Sequence, residues 1–141
     1  MSRERPPLVR TDRVRFAETD AQGIVFYGAF FTWLDEALNA ALREAGYDYD
    51  RMHADGWTTH VVHTELDYHA PAEYGDVVEQ RFAVTDVGES SIHTDYEARN
   101  EATGETLASG STVYAAADVE TGESVRVPDD FRAAFGLLDG E

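Results

Sequence analysis

The sequence of 141 residues contains no cysteine and no lysine, and it has only four prolines and two methionines. The absence of cysteine excludes disulfides, thiolate catalysis and cysteine-ligated zinc sites. The sequence also lacks an apolar run of signal-peptide length near its start and any stretch of about 18 apolar residues. We therefore expect a cytoplasmic protein without a membrane partner.

All 11 basic residues are arginines, and 28 acidic residues outnumber them, which gives a net charge of −17. Nucleic acids and anionic membranes bind basic surfaces, so this charge argues against both as partners. Two interpretations of the acidity stay open. It can serve ordinary solubility, or it can mark a halophilic enzyme from a salt-rich cytosol, where the Debye length of about 3 Å removes the repulsion between carboxylates. We favour the second interpretation.

Apolar residues recur at helical spacing from Gly28 to Ala45, with polar residues on the other side, which predicts one long amphipathic helix. Gly46 follows this helix at the position where a left-handed residue usually ends one. The next segment, 48–56, is predicted to be a loop. A short last helix is predicted over 130–135.

Other parts of the chain alternate between apolar and polar residues with a period of two, which predicts β-strands. The predicted strands are a short one at 10–16 and longer ones at 62–68, 78–84, 92–99 and 105–117, with hairpin connections at 71–75, 88, 100–104 and 118–122. About five antiparallel strands and one long helix predict an α+β fold in which helix and sheet bury each other's apolar face. We expect a single domain over 1–141, with loose tails at 1–7 and 136–141.

The segment from Phe16 to Leu34 places a carboxylate, Asp20, in a turn that leads directly into the most apolar helix. The start of a helix carries unpaired N–H groups and a partial positive charge, so it can polarise a carbonyl while a nearby carboxylate attacks it or activates water. Such a site needs no metal and no serine. Because Thr-Asp-Ala-Gln-Gly is also a good turn sequence, Asp20 can instead satisfy only local N–H groups.

The same segment resembles the signature of the 4-hydroxybenzoyl-CoA thioesterase family of the hotdog-fold superfamily, which reads aromatic-x-x-x-Asp-x-x-Gly-Ile/Val-Val-aromatic-Tyr/His. The matching residues are Phe16, Asp20, Gly23, Ile24, Val25, Phe26 and Tyr27. The resemblance continues through Tyr-His-Ala-Pro-Ala-Glu-Tyr-Gly-Asp at 68–76 and through Gly88, Ser90 and Ser91, so that it extends from residue 10 to residue 135. Glu18 is an alternative carboxylate, but it does not occupy the motif position.

This resemblance implies a hotdog fold, in which an antiparallel sheet wraps a central helix, and a homodimer or homotetramer with active sites at subunit interfaces. It implies that Asp20 is the nucleophile or the general base of a thioesterase, and both roles stay open. The backbone N–H groups of Tyr27 and Gly28 would then bind the thioester oxygen as it gains charge.

The resemblance also implies positions for substrate contacts. Thr59 and His60 fall where the partner subunit approaches the site, and Ser90 and Ser91 fall near the pantetheine or nucleotide end of CoA. The aromatic residues that could line an acyl pocket are Phe26, Tyr27, Phe30 and Trp33. An aromatic stripe at helical spacing is, however, more often part of a core, and a polar strand residue such as Thr59 is more often simply solvated.

In several members of this family an arginine or lysine precedes the serine and binds the phosphates of CoA. Here the preceding residues are Val87, Gly88 and Glu89. An acidic chain that binds a polyanion needs local cations. The candidates are Arg81, Arg99 and Arg126.

Other kinds of site lack support in the sequence. His60 and His63 lie three apart on a predicted strand, so we expect them to point to opposite faces and not to share a metal ion. The absence of a Gly-x-Ser-x-Gly elbow argues against a serine hydrolase, and the absence of Gly-x-Gly-x-x-Gly and Walker loops argues against a nucleotide cofactor. We expect neither a metal nor a cofactor.

We therefore predict an enzyme that hydrolyses an acyl-CoA thioester to a carboxylic acid and free CoA. The alternative is a non-catalytic acyl-CoA-binding hotdog module, because a fold does not fix a function. A hydratase or dehydratase is a third reading, but such enzymes pair an Asp with a His a few residues later, and no His lies between Asp20 and His53. The sequence does not specify the acyl group.

Overall fold

The long predicted helix is the element around which the rest of the chain is arranged. The computed structural model describes residues 5–138. In chain order its elements are β1 Leu8–Arg13, a 3-10 turn Phe16–Glu18, α1 Tyr27–Glu44, α2 Tyr49–Ala54, β2 Trp57–Tyr68, β3 Val77–Val87, β4 Ser91–Asn100, β5 Thr106–Asp118 and α3 Asp129–Ala134.

Helix α1 is amphipathic, as its spacing predicts, and its apolar face packs against the sheet. The buried residues of α1 are Ala29, Phe30, Trp33, Leu34, Ala37, Leu38, Ala41 and Leu42. The helix is followed by Gly46, which has a φ of 78°. The Gly46 N–H donates to Arg43 O at 3.1 Å and the Tyr47 N–H donates to Leu42 O at 3.0 Å, so the glycine closes the helix as predicted.

The sheet has the strand order β1-β3-β4-β5-β2, and all neighbouring strands are antiparallel. Alternate residues of its central strands are buried, among them Phe82 on β3, Tyr96 on β4 and Tyr114 on β5. One long helix against one five-stranded antiparallel sheet is the α+β architecture that the sequence predicts. It is a hotdog fold.

Two predictions about short elements were wrong. The segment predicted to be a loop contains the helix α2, which Asp48 caps by accepting a hydrogen bond from the Arg51 N–H at 2.9 Å. The first strand covers Leu8–Arg13 and does not reach Phe16, which belongs to the 3-10 turn. Both errors arise in short elements, where the periodic pattern is too brief to separate helix, strand and loop.

The connection at 71–75 is not a hairpin, although its Pro and Gly content predicted one. Strand β2 lies at one edge of the sheet, while β3 lies next to β1 at the opposite edge. The connection therefore crosses one end of the sheet, where the Val25 N–H donates to Ala72 O at 2.8 Å. This crossing brings the second family motif against the loop that contains Asp20.

Strand β2 contains a bulge that sequence alternation did not reveal. Val61 is opposite Tyr114 and His63 is opposite Val113, so Val62 is the extra residue. As a result, His60 and His63 face the same side of the sheet, and the prediction that they point to opposite faces was wrong. Within residues 5–138, even so, no group of three or more His, Asp or Glu side chains could hold a metal ion.

The two edges of the sheet differ in length. Strand β2 has 12 residues and β1 has six. Across residues 5–138, β2 pairs with β5 alone, so its other edge has no strand partner. Val61 and Val62 are 57% and 60% exposed on this edge. A long edge with exposed apolar side chains is a surface on which another strand can pair.

The predicted tails differ in their structure. Residues 1–4 and 139–141 lie outside the described residues. Residues 5–7 are not loose, because Arg5 pairs with Glu97 at 2.5 Å and the Phe82 N–H donates to Pro7 O at 3.0 Å. None of the helices in the described part of the chain is both long enough and apolar enough to cross a membrane.

Candidate active site

Asp20 lies in a tight loop directly before α1. The Asp20 N–H donates to Ile24 O and the Gly23 N–H donates to Asp20 O, each at 2.9 Å. Gly23 has a φ of 81°, a conformation that side chains other than glycine rarely adopt. The Gln22 N–H donates to Asp20 Oδ1 at 2.8 Å. One carboxylate oxygen therefore stabilises the turn, while Asp20 as a whole is exposed.

The start of α1 follows this loop, and its first N–H groups are available to a ligand. Phe26 is the N-cap residue, and its own N–H donates to Glu18 O at 3.1 Å. For the N–H groups of Tyr27 and Gly28 there is no acceptor among residues 5–138. Gly28 also leaves the helix end open, since a Cβ there would meet only the Phe26 ring at 3.5 Å. These two N–H groups can stabilise a negatively charged oxygen.

An open cleft of about 490 Å³ joins Asp20 to the helix start. Its lining residues are Asp20, Gln22, Ile24, Val25, Tyr27, Phe30, Tyr68, His69, Ala70 and Pro71. The Tyr68 hydroxyl donates to Tyr27 O at 3.2 Å, and its ring packs edge-on against Phe30 at 5.6 Å between centroids. A cleft of this size with aromatic walls and a few polar groups is typical of a small-molecule site.

Glu18, the alternative carboxylate, lies under the Asp20 loop and is buried. Glu18 Oε1 accepts the Arg15 N–H at 2.8 Å, and Oε2 accepts Trp33 Nε1–H at 2.9 Å and Arg15 Nη2–H at 3.0 Å. Burial acts to raise the pKa of Glu18, but these hydrogen bonds outweigh it and hold the pKa below its ordinary value. Glu18 is therefore an ionised structural contact to α1.

Thr59, His60, Ser90 and Ser91 do not line the Asp20 cleft. The backbone pairs His60 with Ala115 and Ala115 with Ser91, so these residues lie together at the end of the sheet opposite Tyr68. The Thr59 and Tyr49 hydroxyls lie 3.2 Å apart, and burial raises the pKa of Tyr49. The described chain thus separates the predicted site residues into two groups.

The candidate cations also separate. Arg99 donates to Gly104 O at 2.6 Å, and Arg81 lies 3.5 Å from Glu79, both away from the turn before β4. Arg126 lies beside that turn, with its guanidinium 3.6 Å from Glu89 and 2.8 Å from Asp129. Of the three, Arg126 is the arginine nearest the predicted CoA-binding serines in this fold.

The aromatic residues proposed for an acyl pocket have different environments. Tyr27 and Phe30 line the cleft. Trp33 is only 2% exposed and donates its indole N–H to Glu18, so it belongs to the core. Phe26 is 41% exposed and is not among the residues that line the cleft.

Sequence reasoning missed several residues of the cleft, chiefly Gln22, Tyr68 and His69. Tyr68 was part of the family motif, which was a usable signal, but it carried no predicted role. His69 is also part of that motif and carried no predicted role, and its ring lies 2.8 Å from the Ser109 hydroxyl.

Comparison with known proteins agrees with this architecture. The profile of the Thioesterase-like superfamily matches residues 14–135. This match covers most of the chain, including the Asp20 loop, α1, all strands after β1 and α3.

Three individual proteins illustrate the similarity. A 1,4-dihydroxy-2-naphthoyl-CoA hydrolase of Synechococcus elongatus is 26% identical over 118 residues, which cover 82% of this chain and 85% of that protein. The structure of the gentisyl-coenzyme A thioesterase BH1999 superposes with a TM-score of 0.79 at 26% identity and covers 91% of this chain and 99% of its own. Slr0204 of Synechocystis, a 1,4-dihydroxy-2-naphthoyl-CoA thioesterase, superposes with a TM-score of 0.84 at 21% identity over 95% and 98% of the two chains.

Proposed function

The chain belongs to the Thioesterase-like superfamily and is a thioesterase of the hotdog fold, and on this basis we propose that it hydrolyses an acyl-CoA thioester with Asp20 as its reacting carboxylate. The single observation that carries the proposal is the cleft itself. Asp20 and the start of α1, whose Tyr27 and Gly28 N–H groups have no acceptor among the described residues, meet in it.

The chemistry follows from these groups. The thioester oxygen, bound by the Tyr27 and Gly28 N–H groups, gains negative charge as its carbonyl carbon is attacked. Asp20 either attacks that carbon itself, forming an acyl-enzyme anhydride that water then cleaves, or takes a proton from an attacking water. In both routes the carbon–sulfur bond breaks and the CoA thiolate leaves. The products are a carboxylic acid and free CoA.

The walls of the cleft favour an aromatic acyl group. Tyr27 and Tyr68 expose ring surface in the lining of the cleft, and the buried Phe30 packs edge-on against Tyr68. Offset and edge-on contacts with such rings stabilise a planar aromatic ligand beyond the burial of its area. The hydrolase of Synechococcus elongatus and the gentisyl-coenzyme A thioesterase are both named for aromatic acyl groups.

We also propose that the active species is a homodimer, alone or within a tetramer, formed through β2. Thr59 and Tyr68 are nine residues apart on β2, which is about 30 Å along a strand. If two β2 edges pair antiparallel about a two-fold axis, the Tyr68 end of one chain lies beside the Thr59 end of the other. Thr59, His60, Ser90 and Ser91 would then approach the partner's Asp20 cleft, and Arg126 would lie within reach of the CoA phosphates.

The alternative function is an acyl-CoA-binding module without turnover. The test is release of free thiol from a panel of aromatic and aliphatic acyl-CoA esters, with Asp20→Asn as the inactive variant. Removing a nucleophile or general base should lower kcat by at least about a hundredfold. Asp67→Asn is the matched control, because Asp67 lies exposed on the same end of β2 but on its outer face.

The outcomes separate the two functions. Steady thiol release by the wild type, retained by Asp67→Asn and lost by Asp20→Asn with its melting temperature unchanged, is the expected result. Binding of acyl-CoA without thiol release would favour the binding module. Near-normal turnover by Asp20→Asn would mean that Asp20 only stabilises the turn, through the hydrogen bond that it accepts from the Gln22 N–H.

A further inference from the structure

We infer that Glu18 is a positioning residue for the reaction: its buried carboxylate joins the Asp20 loop to α1 and thereby sets the separation between the Asp20 carboxylate and the N–H groups of Tyr27 and Gly28. This inference rests on the proposed function of Asp20. It concerns a residue that lies outside the cleft and outside the family motif positions.

The geometry around Glu18 is that of a joint between two elements. Its side chain accepts the indole N–H of Trp33, which lies almost two turns into α1. Its backbone oxygen accepts the N–H of Phe26, the N-cap residue of the same helix. Two residues further along the chain, Asp20 bonds to Ile24 across the loop. Glu18 therefore contacts the helix at two points while it begins the loop that carries Asp20.

Burying the Glu18 carboxylate costs free energy, which argues that the geometry of its hydrogen bonds matters. A buried carboxylate without partners would be strongly unfavourable, and this one is stabilised by three N–H donors. Packing alone would be served by an apolar side chain against Trp33. Hydrogen bonds differ from apolar packing because they fix both distance and direction.

The proposed reaction depends on the distance and direction between the reacting groups. A carboxylate and an oxyanion site act together only when both face the same carbonyl, and a displacement of about 1 Å can lower a rate by about a hundredfold. The exposed Asp20 loop is closed by its own backbone hydrogen bonds and by bonds to the crossing segment, and these bonds do not reach the body of α1. The contact between Glu18 and Trp33 supplies that constraint.

The experiment compares two variants with a matched control. Glu18→Gln places an amide N–H₂ where one carboxylate oxygen accepted a donor, so at least one bond is lost. Trp33→Phe removes the indole donor and keeps a ring in its place. Trp57→Phe is the control. Trp57 is as buried as Trp33, at 2% exposure, but it lies at the other end of the molecule. Its indole N–H donates to the Tyr47 hydroxyl at 3.1 Å, so this variant also loses an indole hydrogen bond.

We expect kcat for thioester hydrolysis to fall by about ten- to a hundredfold in Glu18→Gln and Trp33→Phe, while KM stays within about threefold. Trp57→Phe should lower the melting temperature as much as Trp33→Phe does and leave kcat within about twofold of the wild type. The split between kcat and KM separates a positioning role from a loss of stability alone.

A second measurement does not depend on turnover. In a ¹H–¹⁵N spectrum the chain has only two indole N–H signals, since it has two tryptophans. Glu18→Gln should shift the Trp33 indole signal and the amide signals of Gln22, Tyr27 and Gly28. The Trp57 indole signal should stay in place. Trp57→Phe should leave those amides unshifted.

Unchanged kcat in both Glu18→Gln and Trp33→Phe, with melting temperatures lowered as in the control, would overturn the inference. So would amide signals of the Asp20 loop that do not respond to Glu18→Gln. A wild-type protein that releases no thiol from any acyl-CoA would instead contradict the proposed function, and the spectra would then decide on their own whether Glu18 fixes the loop to α1.

Discussion

The two ends of β2 carry different chemical groups, and in the proposed function each end supplies a different part of the site. At the Tyr68 end lie the Asp20 carboxylate, the start of α1 and an aromatic cleft. At the Thr59 end lie hydroxyl and imidazole groups, with Ser90 and Ser91 two strands away. The first end has groups that can attack and polarise a carbonyl, and the second end has groups that can bind and orient a polar ligand.

This difference indicates why β2 is the long edge of the sheet. Within one chain the two groups lie about 30 Å apart, so they cannot touch the same reacting atoms. When two such edges pair antiparallel, the Tyr68 end of each chain lies beside the Thr59 end of the other. The two groups then meet at two places, which the two-fold axis relates. An exposed apolar edge is a liability in a monomer, and in the proposed dimer it would join two half-sites.

The largest effect should come from a charged residue on the exposed edge of β2, which would separate the two ends of the proposed site. Val62→Asp would place two carboxylates close together across the two-fold axis, and like charges at an interface cost several kcal/mol. We expect the variant to be monomeric by light scattering and to lose at least about tenfold in kcat/KM.

Leu8→Asp is the control for this variant, because Leu8 is 45% exposed on β1 at the opposite edge of the sheet. It should keep both assembly and activity. A monomeric Val62→Asp protein with wild-type kcat/KM would show that one chain contains a complete site.

Mixing two inactive variants tests which chain supplies each end of the proposed site. Asp20→Asn and Thr59→Trp should each be inactive alone, the first without its carboxylate and the second with a ring blocking the far end. A mixed dimer has one site that combines the intact Asp20 of one chain with the intact Thr59 of the other. About half of the dimers in a random equimolar mixture are mixed and each has one such site, so activity should recover to about a quarter of the wild-type rate.

The recovery should follow the rate of subunit exchange. Mixing Asp20→Asn with unfolded Thr59→Trp protein is the control and should give no recovery. If properly mixed dimers stay inactive, both ends act within one chain, and the two-fold arrangement of the site is wrong.

The sequence predicted those features that depend on local patterns. Helix α1 and its end at Gly46 follow from spacing and from the conformational freedom of glycine. The Asp20 turn follows from Asp and Gly at fixed positions. These features are set by residues close together in the chain, so one sequence is enough to find them.

The features that were missed depend on contacts between distant segments. The role of Glu18 requires Trp33, 15 residues away, to arrive beside it. The bulge at Val62 is set by pairing with β5, and two adjacent valines fit either register. Tyr68 reaches the Asp20 cleft only because the sheet order places β2 beside the start of α1. Periodicity describes which face a residue takes, but not which neighbour it meets.

The smallest effect should come from salt, and it would separate the two ends by their chemistry. The net charge of −17 repels the CoA phosphates over the Debye length, which exceeds 10 Å at about 0.05 M and falls below about 3 Å at 3 M KCl. Arg126, which has Glu89 and Asp129 beside it, cannot offset that field at low salt. We therefore expect KM for an acyl-CoA to fall by a few-fold as KCl rises over this range, together with a rise in melting temperature, because carboxylates also repel one another within the fold.

The kcat should change less than KM, since the Asp20 end reacts with an uncharged thioester. A truncated thioester without phosphates is the control, and its KM should be nearly independent of salt. Equal KM and equal melting temperature at both ends of the range would mean that the acidity serves ordinary solubility and that the halophilic interpretation is wrong.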